Sequence, residues 1–475
     1  MTDPRSKQIA SIVAMAAAAF LFFNYFEHLM EAAQVSVVPV WLGTPFVLFL
    51  LAIAVVPFID RTWWEHNYPT VAASLSVIVV AYYVLVLGNV SRLVLSLYEY
   101  VSFISLIGSL FVVAGGIHFN LRGKAAPWEN VALLGGGALL SNLIGTTGAS
   151  MLLIRPYLRS NKYRVKGYHV VFFIFIVSNI GGALTPIGDP PLFLGYLKGV
   201  PFFWVVTKAW FAWALVLGLL LLLFFAVDKY YFRQVSRKTQ SEAIQPETVT
   251  FSGLHNVWFL VIIIAAVFVQ RPLMLREVLM WSAAMGSYFT TRHEVHKKNE
   301  FNFVPLKEVA ILFLGIFATM IPALDWLEMN ASSLGVETPA QFFWFTGALS
   351  SVLDNAPTYL SFLSAAFGLH GYSVENARHM QAILGSVPPE SLGLLNPAQP
   401  GAAAITGDSW RFVQSISLAA VFFGAMTYIG NGPNFMVKSI AEQTGVACPT
   451  FFGYIVKYSV PILIPIFVIV WLLLF

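Results

Sequence analysis

The sequence predicts an all-α polytopic membrane protein with about eleven transmembrane helices, two re-entrant hairpins and two broken helices arranged as inverted repeats. Three observations predict this fold. The 475-residue chain is 58% hydrophobic and only 11% charged, whereas soluble domains carry roughly 25% charged residues. Its apolar segments are long enough to cross a bilayer. Finally, two segments are polar at their centres, and two others contain the same helix-breaking motif.

Apolar segments follow one another along nearly the whole chain. They fall near residues 9–26, 40–58, 70–88, 100–118, 131–157, 168–199, 202–227, 256–270, 275–290, 308–323, 340–368, 411–442 and 450–474. We interpret 9–26 as a retained helix because no small-residue cleavage site follows it. The expected partner is the lipid bilayer. A formal charge of only +4 argues against nucleic acid, and a single cysteine excludes an internal disulfide.

The helix-breaking motif occurs twice. Residues 182–191 read GALTPIGDPP and residues 424–433 read GAMTYIGNGP, so Asp189 aligns with Asn431. Proline cannot continue helical hydrogen bonding, and glycine adopts unusual backbone angles. Carbonyls freed in this way can bind a cation, and the N-termini of half-helices can hold an anion. The motif therefore predicts two broken helices that contribute to one binding site.

The segments 131–157 and 340–368 are too long for one helix and too polar at the centre to span, which predicts hairpins with polar tips. Basic residues flank the first segment on both sides, including Arg122, Lys124 and Arg159. Mostly acidic residues flank the second. With the N-terminus in the cytoplasm, the first hairpin would open inward and the second outward. The tips align Ser141 with Asp354.

This organisation predicts four regions. They are N-terminal scaffold helices at 1–99, a first repeat at 100–228, a cytoplasmic linker at 229–255 and a second repeat at 256–475.

Two acids, Asp189 and Asp354, lie at the predicted breaks. An ionisable side chain at membrane depth costs several kcal/mol and marks a functional site by default. The alternative for each is that its carboxylate only caps the following half-helix. Three weaker candidates have ordinary alternatives that we expect instead. Arg155 could contact an anion but is expected to extend to the cytoplasmic interface, and His169 could relay protons but is expected to be an interface residue. His293-x-x-His296 could bind a metal but is expected to be part of a plain basic loop.

At these residues the sequence resembles the ion transporter superfamily. That group includes NhaD-type sodium/proton antiporters, ArsB-type arsenite carriers, and CitMHS-like citrate and dicarboxylate transporters. The matching motifs are 141–147 (SNLIGTT), 179–191 (NIGGALTPIGDPP), 353–358 (LDNAPT) and 427–434 (TYIGNGPN), and the resemblance covers residues 40–475. It implies a scaffold, a mobile transport subdomain, a homodimer and elevator-type alternating access. The tips depart from the paired Ser-Asn-Thr tips of dicarboxylate carriers, which favours the antiporter branch.

We therefore expect a secondary active transporter and not an enzyme. The first expectation is a sodium/proton antiporter of the bacterial inner membrane, without a cofactor, that binds Na⁺ at Asp189 and Asp354 and exchanges it for H⁺. The alternative is a sodium- or proton-coupled carrier of an organic anion, such as citrate or a dicarboxylate, or of an arsenite-like oxyanion. A channel would require a continuous polar path, which the sequence does not contain. The candidate ion- or substrate-binding residues are Ser141, Asn142, Thr146, Thr147, Asn179, Thr185, Gly188, Asp189, Asp354, Asn355, Thr358, Thr427, Asn431 and Asn434.

Overall fold

The computed structural model describes residues 26–30, 33–122, 126–235, 248–388 and 403–475. The predicted first helix near 9–26 lies almost wholly outside the described residues, as do the cytoplasmic N-terminus and the middle of the linker 229–255.

Helices occupy every predicted apolar segment from residue 40 onward. In chain order they are α1 Thr44–Ile59, α2 Arg61–Leu85, α3 Val90–Gly115, α4 Pro127–Ser160, α5 Gly167–Ile176, α6 Pro190–Leu197, α7 Phe202–Arg233, α8 Asn256–Val267, α9 Leu275–Thr290, α10 His293–Lys298, α11 Val304–Asn330, α12 Pro339–Ser350, α13 Asn355–Leu369, α14 Ala377–Ile383, α15 Trp410–Phe423, α16 Gly432–Gln443 and α17 Phe451–Leu474. Short 3₁₀ turns at Val40–Gly43, Ile180–Gly182, Ala331–Leu334 and Gly424–Met426 adjoin them.

Within the described residues, seven helices are long and apolar enough to cross a membrane, and several shorter helices are equally apolar. The chain is an all-α polytopic membrane protein, as predicted. Only 17% of the apolar window of α2 is buried, against 67% for α3. The helix α3 therefore lies inside the bundle, while α2 presents most of its surface to the lipid.

The helix α4 folds back on itself at Gly145. This glycine has φ 77° and ψ 156° inside an otherwise helical segment. A Cβ on Gly137 would lie only 2.9 Å from Leu153 Cδ1, whereas residues 137 and 153 of a continuous helix would be about 24 Å apart. We call this pair of half-helices hairpin 1. The helices α12 and α13, joined by non-helical residues 351–354, form hairpin 2.

Two helices are interrupted where the repeated motif predicts it. Broken helix 1 consists of α5 and α6, and broken helix 2 of α15 and α16. The motif's glycines permit the close turn, because a Cβ on Gly188 would lie 2.1 Å from Gly182 O. The re-entrant placement of the hairpins, their opposite orientation in the membrane and the four region boundaries stay predictions.

One feature departs from the all-helical expectation. The strands β1, His118–Arg122, and β2, Thr248–Ser252, form an antiparallel ribbon in which His118 pairs with Ser252. The second strand lies within the predicted linker 229–255. The ribbon connects the end of α3 with the start of α8, so this part of the linker is ordered by pairing.

The backbone of Gly145 generates the first prediction. Its φ and ψ lie in a region that is almost exclusive to glycine, and a residue with Cβ is strained there by about 1–3 kcal/mol. We expect Gly145→Ala to lower the midpoint of thermal unfolding of the detergent-purified protein. Gly218→Ala, in a regular helix with open space around the added Cβ, is the matched control and should not lower it. Equal midpoints for the two variants would contradict the assigned tip geometry.

Candidate functional site

The carboxylate of Asp189 lies at the centre of the predicted site. The residue is 1% exposed, and its oxygens accept hydrogen bonds from three neutral side chains. Thr146 Oγ1 donates to Oδ1 at 2.8 Å, and Asn431 Nδ2 donates to the same oxygen at 3.1 Å. Asn355 Nδ2 donates to Oδ2 at 2.6 Å. Each donor belongs to a different discontinuous segment, so hairpin 1, hairpin 2 and both broken helices meet at one carboxylate.

These four residues occupy equivalent positions in their segments. Thr146 follows the break at Gly145, Asn355 is the first residue of α13, and Asp189 and Asn431 are the N-caps of α6 and α16. A helix N-terminus carries unpaired N–H groups and a partial positive charge. Four such termini therefore converge on Asp189, and their fields stabilise a negative charge there.

Each hairpin contacts its broken helix in the same way. Ser141 Oγ donates to a carbonyl just beyond α5 at 2.8 Å, and Ser350 Oγ donates to a carbonyl in α15 at 2.7 Å. The structure thus matches Ser141 with Ser350, and the predicted match of Ser141 with Asp354 was wrong. In the observed register Thr146 matches Asn355, and both donate to Asp189.

Two threonines of the repeated motif fix the hairpin tips. Thr185 Oγ1 donates to Asn142 O at 2.7 Å, and Thr427 Oγ1 donates to Ser351 O at 2.6 Å. Each hydroxyl also accepts a hydrogen bond from a backbone N–H of its own motif. Both threonines therefore hold backbone in place, and neither contacts the Asp189 carboxylate.

Buried amides extend the site away from Asp189. Asn431 Nδ2 also lies 3.2 Å from Asn179 Oδ1, and Asn179 Nδ2 donates to Asn434 Oδ1 at 2.7 Å. Asn434 Nδ2 in turn donates to two carbonyls of broken helix 2. Asn142 Nδ2 donates to a carbonyl of broken helix 1 at 2.6 Å. This network links the two broken helices through side chains that the sequence had identified as candidates.

The two predicted acids have different surroundings. Asp354 Oδ1 accepts a hydrogen bond from Ala356 N at 3.0 Å, and Thr358 Oγ1 donates to Asp354 O at 2.9 Å. Asp354 thus caps α13. Asp189 occupies the same kind of position before α6, but its side chain makes no cap hydrogen bond. Its carboxylate is directed at side chains of the other segments, and the ion-binding role of each acid stays a prediction.

A cavity of about 30 Å³ adjoins Asp189 and Thr146. Thr147, Gly188 and Phe193 contribute to its wall, and apolar residues of α3 close one side. A cavity needs roughly 10–15 Å³ of such space to hold one water molecule. Pockets for organic ligands of drug size measure roughly 300–1,000 Å³, so the described conformation has room here for a water or a small ion.

A sequence model of one protein family, described as "Putative citrate transport", matches residues 35–475. The match includes all four segments that meet at Asp189. The chain belongs to this family. It is therefore a multi-pass membrane transporter of the citrate transport family, which confirms the resemblance to citrate transporter-like members of the ion transporter superfamily. Among curated proteins, none matches the chain.

This member of the citrate transport family also contains a buried ion-pair network that sequence reasoning missed. Arg92 contacts Asp325 at 2.9 Å and Glu375 at 2.6 Å. Lys198 contacts Glu375 and lies 2.6 Å from Glu99. Burial raises the pKa of the Glu375 carboxyl, but the charges of Arg92 and Lys198 outweigh burial and hold that pKa below its usual range. The network joins the end of broken helix 1 to α3, α11 and the loop after hairpin 2.

The weaker candidates lie away from Asp189. Arg155 forms an ion pair with Glu300 at 2.8 Å. His169 is 0% exposed, with Nε2 3.3 Å from Asp228 Oδ1, and its position at the membrane interface stays a prediction. Among the residues described here, no group of three His, Cys, Asp or Glu is arranged to hold a metal ion. The histidine pair lies on the short helix α10.

The ion-pair network generates the second prediction. Removing one partner of a buried pair leaves an uncompensated charge and costs about 3–5 kcal/mol. We expect Lys198→Met to destabilise the protein by an amount in this range, since two carboxylates lose their shared cation. Thermal unfolding of the purified protein measures the effect. Lys297→Met, at an exposed position of α10, is the control, and a loss no larger than that of the control would contradict a structural role for Lys198.

Proposed function

We propose that this protein is a secondary active transporter in which Na⁺ and H⁺ compete for the carboxylate of Asp189. One observation carries the proposal. The carboxylate is buried, and the hydrogen bonds found for it within the described residues all come from neutral side chains. An ionised carboxylate without a cation is costly in such a place. Binding of a proton or a metal cation removes this cost.

The surroundings of Asp189 suit a small hard cation. Carboxylate, amide and hydroxyl oxygens are ligands that such cations prefer. Asn355 donates its amide N–H to Asp189, and its own Oδ1 is buried without a hydrogen-bond partner in the described structure. A cation beside Asp189 would satisfy that oxygen. The adjoining cavity, whose wall contains Asp189 and Thr146 but not Asn355, has the volume for one such ion.

Competition for one carboxylate is sufficient for antiport, provided that the empty charged site does not cross the membrane. The hydrogen bonds between hairpins and broken helices favour their movement as one body, which is the requirement of an elevator mechanism. We therefore propose elevator-type sodium/proton antiport, with Na⁺ and H⁺ as the transported ions, no cofactor and a homodimeric assembly. The proposed orientation places the N-terminus in the cytoplasm of a bacterial cell.

A second candidate is a sodium- or proton-coupled carrier of citrate or another carboxylate. Two observations favour it: the family's description names citrate transport, and four half-helix N-termini converge on the site. Backbone N–H groups at such termini bind anions. In the described conformation, however, the Asp189 carboxylate already occupies the point of convergence.

Charge-neutral substitutions at the two acids test the carboxylate role. We expect Asp189→Asn to abolish Na⁺-driven proton movement in inverted membrane vesicles, measured by dequenching of a pH-sensitive dye. Asp354→Asn should reduce the apparent Na⁺ affinity but keep activity, because asparagine caps a helix as well as aspartate does. Lys297→Gln, an exposed charge in α10, serves as control. Wild-type exchange in Asp189→Asn would refute the proposal.

Uptake of labelled citrate separates the two candidates. For the antiporter we expect no accumulation of citrate in right-side-out vesicles, with or without a Na⁺ gradient. Accumulation that requires the gradient and disappears in Asp189→Asn would instead establish the carboxylate carrier, with Asp189 as its coupling group.

A further inference from the structure

A second cavity, of about 400 Å³, lies far from Asp189 at the end of the β1–β2 ribbon. It is formed where β2 leads into α8 and where α9 leads into α10. Its lining residues include Ser252, His255, Thr290, Arg292, Glu294 and Lys298. We call it the basic cavity. No part of the proposed transport mechanism uses it.

The charge of the basic cavity favours an anion. Arg292 and Lys298 both line it, and neither forms an ion pair within the described residues. The one acid in the wall, Glu294, offsets a single cation, so the wall keeps a net positive charge. Two cations in the wall of one cavity, neither held in an ion pair, suit a phosphate group.

Buried hydrogen bonds beside the basic cavity connect the segments that form it. Asn256 is 0% exposed, and its Nδ2 donates to Gly116 O and to Thr291 Oγ1, both at 2.8 Å. Ser287 Oγ donates to Asn256 Oδ1 at 2.6 Å. These bonds connect the turn between α3 and β1 with α8 and α9. The segments that carry Arg292 and Lys298 are therefore held in position before a ligand binds.

Exposed apolar residues lie close in sequence to the lining residues of the basic cavity, and we call them its apolar rim. Leu254, Trp258 and Phe289 have exposed fractions of 54%, 74% and 78%. Large apolar and aromatic side chains next to cations are typical of the membrane interface. Two lining residues, Ser252 and His255, belong to the linker 229–255, which is predicted to be cytoplasmic. A ligand in this cavity would have its phosphate among cations and its remainder beside hydrocarbon.

We propose that the basic cavity binds the phosphate group of an anionic phospholipid, with Arg292 and Lys298 contacting the phosphate and the acyl chains lying along Trp258 and Phe289. The volume of about 400 Å³ has room for a glycerophosphate headgroup. Anionic lipids are common in cytoplasmic leaflets, and basic pockets on that side of transporters and channels bind them. A soluble phosphate ester offers the same headgroup chemistry but has no use for the apolar rim.

Native mass spectrometry of the full-length protein in detergent tests this inference. We expect phosphatidylglycerol to bind more tightly than phosphatidylcholine. Each lost cation should weaken phosphatidylglycerol binding roughly fivefold, so Arg292→Gln with Lys298→Gln should weaken it about 25-fold. Glu294→Gln should strengthen it, because the repelling acid is gone. Lys297→Gln, outside the cavity on the same helix, should change it less than twofold.

The outcomes separate the sources of the phosphate. Equal binding of the two lipids, or a double variant that behaves like Lys297→Gln, overturns the proposal. Displacement of phosphatidylglycerol by glycerol phosphate at equal concentration identifies a site for soluble phosphate esters and overturns the lipid assignment. If the double variant does not fold, as judged by thermal unfolding, the single variant Lys298→Gln is measured instead. Phosphatidylglycerol binding that is roughly fivefold weaker supports the proposal, and unchanged binding overturns it.

Discussion

The buried carboxylate of Asp189 is the constraint on which this architecture depends. A charge at this depth requires hydrogen-bond donors, and intact helices offer few because their N–H groups are already paired. Breaking four helices near one point supplies both polar side chains and helix N-termini. Thr146, Asn355 and Asn431 are the donors. The glycines and prolines of the two motifs permit those breaks, so the unusual backbone and the buried charge explain each other.

The repeat is symmetric in backbone but asymmetric in chemistry. Asp189 and Asn431 occupy the N-cap positions of equivalent half-helices, and Thr146 and Asn355 begin equivalent ones. Asn431 nevertheless donates a hydrogen bond to Asp189 at 3.1 Å. A carboxyl group at position 431 could donate such a bond only in its protonated form. Two ionised acids at that distance would repel each other strongly. A single charge thus requires an amide in the second copy, and the difference between the motifs follows from electrostatics.

Local signals in the sequence were sufficient for the fold class, both hairpins, both breaks and most residues around Asp189, because glycine, proline and buried polar residues act within one segment. Features that depend on distant partners were missed. The hairpin register is fixed by serine contacts to other helices, and the alignment of Ser141 with Asp354 lacked that information. Arg92 meets Asp325 only in the folded chain. The β1–β2 ribbon likewise pairs a strand of the first repeat with a strand of the linker, and more than 100 residues separate the two in the sequence.

The two candidate functions make the same demand on Asp189. An anion cannot occupy the convergence of the half-helix N-termini while an ionised carboxylate is there, since the two negative charges would repel. A carboxylate carrier would first have to neutralise Asp189 with H⁺ or Na⁺, and this would make cation binding a precondition of anion binding. A cation exchanger requires the same neutralisation before the site moves. Neutralisation of Asp189 is therefore the coupling step in either case, and the candidates differ only in whether a second species enters afterwards.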